Sequence, residues 1–260
     1  MCRFKSGLIF KNRVELAPMY NESHSTMLSK AAIADDSFNA RKVFVRAELT
    51  PPNGDILADI SKWNYRVDQD ITPDWYDDDR DKYENEFRNA VKEWVNKNIV
   101  NVCGVPCTRI KDENGNTYYH TCKPLFSSQF GSDNNYKTSD VREKLLNCEF
   151  TKELVNKYGD KLVPISLDLT SLDGLKDYEV LSDDIIGIPN IDLYRECREN
   201  VFQGDEWWWL STPDSTSSGY SASSVLCVSS GGCVNCVGCG GIDGVRPFFI
   251  LPSSISLSLS

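Results

Sequence analysis

The sequence predicts an α+β fold in two units: a small α+β domain over residues 1–100, then a second domain over residues 101–260. Three observations predict it. Short apolar stretches alternate with Asn, Gly and Pro turns through most of the chain, as strands do. One long stretch, Asp77–Val100, instead repeats its apolar residues at helical spacing. Charge also collapses near the end: residues 1–100 carry a net −2 and residues 101–210 a net −7, but beyond 210 only Asp214, Asp243 and Arg246 are charged.

The elements follow in order. Phe4–Phe10 and Arg13–Leu16 flank Lys11-Asn12 and suit a hairpin. Ser23–Ile33 suits a short helix. Val43, Val45, Ala47 and Leu49 alternate with Lys42, Phe44, Arg46 and Glu48, which predicts a strand with one amphipathic face. Pro51-Pro52-Asn53-Gly54 is a turn ahead of a strand at Lys62–Val67. In the helix Asp77–Val100, Tyr83, Phe87, Ala90, Val91, Trp94 and Val95 make one stripe. Its acidic opening, Asp77-Asp78-Asp79, and its late Lys92 and Lys97 suit the helix dipole. Cys107–Lys111 and Thr117–Thr121 read as strands joined by the hairpin turn Asp-Glu-Asn-Gly-Asn. Ser139 and Thr151 read as caps of two helices, the second being Thr151–Tyr158. Leu162–Leu167 and Tyr178–Leu181 suit strands, and Trp207-Trp208-Trp209 opens a final β-rich stretch.

Composition excludes several roles. At 260 residues, 40% hydrophobic and 11% aromatic, the chain can bury the cores of two domains. A net charge of −10 argues against nucleic acid and acidic membranes as partners, since those are bound by clustered Lys and Arg. No apolar run nears the roughly 20 residues of a membrane span, so no membrane insertion is expected. Leu8-Ile9-Phe10 is too short for a signal peptide. Ten cysteines are many for a chain without an export signal.

The chemistry candidates are few. Cys2 would be N-terminal after removal of Met1, and a free α-amine beside a thiol, with Arg3 and His24 to help, would suit an N-terminal nucleophile hydrolase; a packed thiol is the plainer alternative. Cys103, Cys107, His120 and Cys122 offer zinc-type ligands across the hairpin, although no Cys-x-x-Cys spacing occurs among them and packing thiols explain them as well. Cys148 and Cys197 read as ordinary thiols. With only His24 and His120 available, no Ser/His/Asp set forms, and phosphate-binding loops are missing. A binding protein is therefore expected rather than an enzyme, with no metal and no cofactor.

Residues 214–243 carry the informative signal. They contain no Lys, Glu, Gln, Met or Trp, where the overall composition would place about five. The fifteen other amino acids are those encoded by codons ending in a pyrimidine, the output expected when the adenines of AAC or AAT codons are randomised. A Ser/Gly linker is the duller reading. Against it, Val225, Val228, Val234 and Val237 recur at framework spacing, and the stretch runs into the strand-like Gly244-Val245-Arg246-Pro247-Phe248-Phe249-Ile250-Leu251.

Trp207-Trp208-Trp209-Leu210-Ser211-Thr212-Pro213, the variable stretch, and Gly-Val-Arg-Pro resemble, in that order, the variable proteins of diversity-generating retroelements. Ser139-Asp140-Val141-Arg142, Leu162-Val163-Pro164 and Leu181-Ser182 are similar to the C-type-lectin-like domain carried by such phage and gut-bacterial proteins. The resemblance covers about residues 101–252. It implies that 101–260 form a C-type-lectin-like (formylglycine-generating-enzyme-like) domain with a hypervariable region at about 214–243. Trp207, Trp208, Trp209, Val228, Val234, Gly244, Arg246 and Pro247 would be framework, with Val245, Phe248 and Ile250 in the closing strand. Asp214, Ser215, Ser217, Ser218, Tyr220, Ser221, Ser223, Ser224, Leu226, Cys227, Cys233, Asn235, Cys236, Cys239 and Asp243 would face a ligand, in a composition close to that of antibody loops.

That ligand would be a protein or another cell-surface molecule that differs between variants. The location would be virion-associated or cytoplasmic, and an undiversified virion structural protein is the other non-enzymatic reading. The Glu-Pro-Asn and Trp-Asn-Asp triplets of calcium-dependent lectins are missing, so neither calcium nor sugar carries over. On this reading Cys227, Cys233, Cys236 and Cys239 are products of codon randomisation rather than ligands or disulfide partners.

Overall fold

A computed structural model describes residues 4–10, 14–19, 44–67, 80–202 and 206–257. The Ser23–Ile33 helix, the Asp77–Asp79 opening, Cys2, Arg3 and His24 lie outside them. The chain divides into two compact units, Met1–Lys97 and Asn98–Ser260.

Among the described residues, the first unit has a four-stranded antiparallel sheet and a helix. Its strands are β1 (Phe4–Phe10), β2 (Val14–Met19), β3 (Phe44–Thr50) and β4 (Asn64–Val67), in the order β2-β1-β3-β4. The hairpin sets Leu8 opposite Leu16, and β3 sets Val45 against the other side of Leu8. Helix α1 (Arg80–Asn98) buries Val91 and Val95, and its Arg88 donates to the carbonyl of Ile60 at 2.7 Å. The helix stops two residues short of the expected end. Ile99 and Val100, β-branched and buried, leave it to pair with Thr108 and Cys107.

The second unit holds two five-stranded sheets. The first has the order β11-β16-β7-β6-β5 and consists of β5 (Ile99–Val102), β6 (Val105–Glu113), β7 (Asn116–Thr121), β11 (Ile186–Gly187) and β16 (Phe248–Pro252). The second has the order β14-β13-β12-β15-β8 and consists of β8 (Phe126–Gln129), β12 (Trp208–Pro213), β13 (Ser224–Val228), β14 (Val234–Gly238) and β15 (Ile242–Val245). A small ribbon joins β9 (Ser166–Asp168) to β10 (Val180–Ser182). The helices are α2 (Asp140–Asn147), α3 (Glu149–Tyr158) and α4 (Ile191–Cys197).

Local chemistry explains most boundaries. Asn114 and Gly115 both take positive φ (51° and 77°), as a tight hairpin turn between β6 and β7 requires. Ser139 caps α2 by accepting the Arg142 N–H. Thr151 is not a cap: it lies inside α3 and its hydroxyl donates to the Leu145 carbonyl at 2.6 Å. The strands expected at Leu162–Leu167 and Tyr178–Leu181 shrink to β9 and β10: the ribbon pairs only three residues, Val163 bridges to Ile250 instead, and Glu179 at φ 55° interrupts the extended backbone before Val180.

The sheets meet at a corner. β15 belongs to one sheet and β16 to the other, with Arg246-Pro247 between them, both buried. Arg246 donates twice to the Thr121 carbonyl (3.0 and 2.7 Å), and its guanidinium lies 4.9 Å from the Trp208 ring centroid. Trp208 also meets His120 at 5.1 Å and Tyr194 edge-on at 5.5 Å. Trp209 points to the opposite face, against Phe130, and its indole N–H donates to the Ser128 carbonyl at 2.8 Å.

Two framework expectations fail here. Trp207 is 41% exposed, because three consecutive residues entering a strand cannot all face one core. Val234 is 37% exposed, because β14 is an edge strand. Val228 and Val245 are fully buried, and Gly244 is required by packing: a Cβ there would meet Pro124 at 2.5 Å and the Trp207 carbonyl at 2.9 Å.

Candidate functional site

Residues 214–243 leave β12, pass through a loop into β13, turn over Ser229–Cys233, return as β14 and enter β15. β13 lies between β14 and β12 and is covered on both faces. Val225 and Cys227 join the main core with Trp209 and Phe249, while Leu226 and Val228 join a second cluster with Trp208, Tyr194 and Ile191. Leu226 and Cys227 therefore do not face a ligand, contrary to expectation: a strand buried on both faces has no outward positions.

Two more expected contact residues turn inward. Cys239 is buried within the main core, and its carbonyl accepts from the Phe130 N–H. Ser215 is buried, donates to Asp173 Oδ2 at 2.6 Å and accepts the Tyr220 N–H at 2.9 Å, so it pins the loop rather than presenting a hydroxyl. The other expected positions reach the surface. Ser217, Ser218, Tyr220, Ser223, Cys233 and Cys236 are exposed; Asp214, Ser221, Ser224, Asn235 and Asp243 are half-buried. Tyr220, at 92%, is the most exposed large apolar side chain among the described residues.

The backbone of this segment is held by residues that periodicity did not mark. Buried Asn134 donates from Nδ2 to the carbonyls of Ser215 (2.9 Å) and Ser224 (2.7 Å), donates its own N–H to the Ala222 carbonyl, and accepts from the Tyr178 hydroxyl at 2.7 Å. A second strut comes from the loop before β10. Leu172 N–H donates to the Pro213 carbonyl, and Asp177 accepts from Thr216 at 2.7 Å. Hydroxyl donors hold both loop carboxyls below the usual range: Ser171 then Ser215 for Asp173, and Ser218 then Thr216 for Asp177. Asn134 stands in the polar run Asp133-Asn134-Asn135, a loop signal that says nothing of its partners.

Three of the window's thiols are poor metal ligands as they stand. Burial pushes Cys227 up to about 12 and Cys239 up to about 11, and raises Cys236. Burial also raises Asp243, whose Oδ2 lacks a hydrogen-bond partner. The earlier zinc candidates do not assemble either: among the described residues, no group of three His, Cys, Asp or Glu side chains could hold a metal. His120 instead turns Nδ1 to Arg246 Nη2 at 3.4 Å, and Cys107 is a fully buried thiol raised by its apolar surroundings. All nine described cysteines are free thiols.

A separate cavity of about 290 Å³, lined by Tyr118, Leu167, Asn190, Glu196 and Phe248 among others, shares no residue with the window. No helix of the described residues is long and apolar enough to cross a membrane. Compared with protein-family models, with curated proteins and with solved structures, the chain matches none.

Proposed function

We propose that the chain is a ligand-binding protein whose C-terminal unit is a C-type-lectin-like scaffold diversified by adenine-directed retroelement mutagenesis, for attachment to a protein or other molecule on a cell surface. One observation carries the reading. The codon-restricted window is a continuous stretch whose main chain is held largely by main-chain bonds and by residues outside it, Asn134 above all. Surface side chains there can change with little effect on the backbone, whereas Ser215, which pins the loop, and the buried residues of β13 cannot.

Magnitudes support the division of labour. Replacement of an exposed side chain such as Ser217 or Tyr220 changes stability by about 0.5 kcal/mol or less. Truncation of a buried one such as Leu226 costs about 2–5 kcal/mol, a large part of a domain's total. Diversification that keeps the fold is therefore expected at exposed Ser217, Ser218, Tyr220, Ser223, Cys233 and Cys236 and at half-buried Asp214, Ser221, Ser224, Asn235 and Asp243, with Ser215, Val225–Val228 and Cys239 constant. Tyr220 and the small hydroxyl side chains around it offer contact area with adaptable donors and acceptors.

Sequencing the gene from sibling isolates tests this. Differences gathered at those eleven codons are expected; differences spread evenly along the chain would contradict the proposal.

A further inference from the structure

The two large sheets of the second unit have four edges, and three are protected. β11 is two residues long, β5 has Ile99, Val100 and Val102 buried, and Lys144 reaches across β8 to the Ser128 hydroxyl. β14 has none of these devices. It spans five residues without a charge or a proline, no charged residue stands between Asp214 and Asp243, and Val234, Cys236 and Gly238 are exposed.

The hairpin bonds establish which main-chain groups face outward. Ser229 N–H donates to the Cys233 carbonyl and Cys239 N–H to the Ser223 carbonyl. With the register Cys227–Asn235 and Val225–Val237, those pairs hold the inward bonds. The N–H and C=O groups of Val234, Cys236 and Gly238 therefore point to the open edge. The Gly238 carbonyl already accepts from Gly241 N–H and keeps one lone pair.

We propose that β14 pairs antiparallel with β14 of a second copy of this chain, centred on Cys236. The occupant follows from self-complementarity: about that centre each outward Val234 meets an outward Gly238, and each Cys236 meets its own copy. β14 itself carries no charge, and the Asp214 carboxyl beside it is hydrogen-bonded to the Cys236 thiol of the same chain. The contact is isologous, as a two-fold dimer requires, and joins the two sheets into one. It runs through main-chain groups and is proposed for this sequence, with an uncharged residue at 236; a variant carrying a charge there would not pair.

The register makes a sharp prediction. Facing Cys236 residues stand about 5.5 Å apart at Cα, within the span of a disulfide. The two Cys233 residues stand about 20 Å apart. The test is sedimentation of the full chain in reductant over a concentration series, then treatment with diamide, which is reduced to the hydrazine as two thiols lose their protons and electrons to form the disulfide.

A dimer cross-linked through Cys236 is expected. Cys236→Pro removes an outward N–H and no inward bond, and raises the dimer Kd about tenfold or more. Cys236→Lys, which places two ammonium groups face to face, does the same where the proline variant fails to fold. Cys236→Ser keeps the dimer and loses the cross-link. A monomer at every concentration, a dimer unmoved by the proline and lysine variants, or a cross-link through Cys233 would each overturn the proposal.

Discussion

Asn134 shows how much one side chain outside the window decides within it. Its amide spans the Ser215 and Ser224 carbonyls from a fully buried position, so no water can replace it. Asn134→Leu leaves the Ser215 carbonyl and the Tyr178 hydroxyl without this partner, while the Ser224 carbonyl keeps the Asp214 N–H, and the expected loss is about 2–4 kcal/mol in urea unfolding. Buried His120 and half-buried Asp243 make opposite predictions. Desolvation first, and then the Arg246 charge, hold His120 well below its usual 6.5, so the unfolded chain takes up a proton that the folded chain refuses. Stability is full above 6.5 and falls as pH drops below it; His120→Phe should flatten that slope between about pH 6.5 and 5. Asp243 is raised by desolvation, so its carboxyl favours the folded state at low pH and opposes it once ionised. Asp243→Asn should raise Tm at neutral pH, with the gain fading as pH falls back through the raised value toward the ordinary 3.8.

At the scale of elements, β13 and β14 have the same kind of sequence and opposite fates. Val225 and Val234 look alike in composition, yet β13 is sandwiched and β14 is an edge, a difference set by sheet order rather than by local pattern. That is why valine spacing placed Val228 correctly and misplaced Val234. It is also why Leu226 and Cys227 lie inside rather than on the surface; Cys239, just past β14, is drawn in by main-chain bonds to Phe130 and Ser223. Elements with their own punctuation were legible: the Asn-Gly turn joining β6 and β7, the Ser139 cap, and the hairpin of β1 and β2. Helix α4 carried a similar signal, Asn190 accepting the Leu193 N–H, but seven residues give too little periodicity to be read. The contrast between the strands is testable: Leu226→Ala should cost about 2–5 kcal/mol, while Tyr220→Ala should leave Tm nearly unchanged.

At the scale of the molecule, the α+β class was legible from mixed periodicities, and the compositional break near residue 210 marks the segment that leads from β12 to the corner at Arg246. The contacts that stabilise that corner were not legible, since Arg246, His120 and Trp208 lie far apart in sequence and their packing depends on the two sheets meeting. The division between a constant frame and a changeable surface is the account's central claim, and the DNA flanking the gene tests it most directly. Sequencing should find a near-repeat of the codons for residues 214–243, rich in AAC, beside a reverse-transcriptase gene. Its mismatches with the gene should fall at adenines of the repeat and at codons for exposed residues. No such repeat, or mismatches spread over all four bases, would contradict the account.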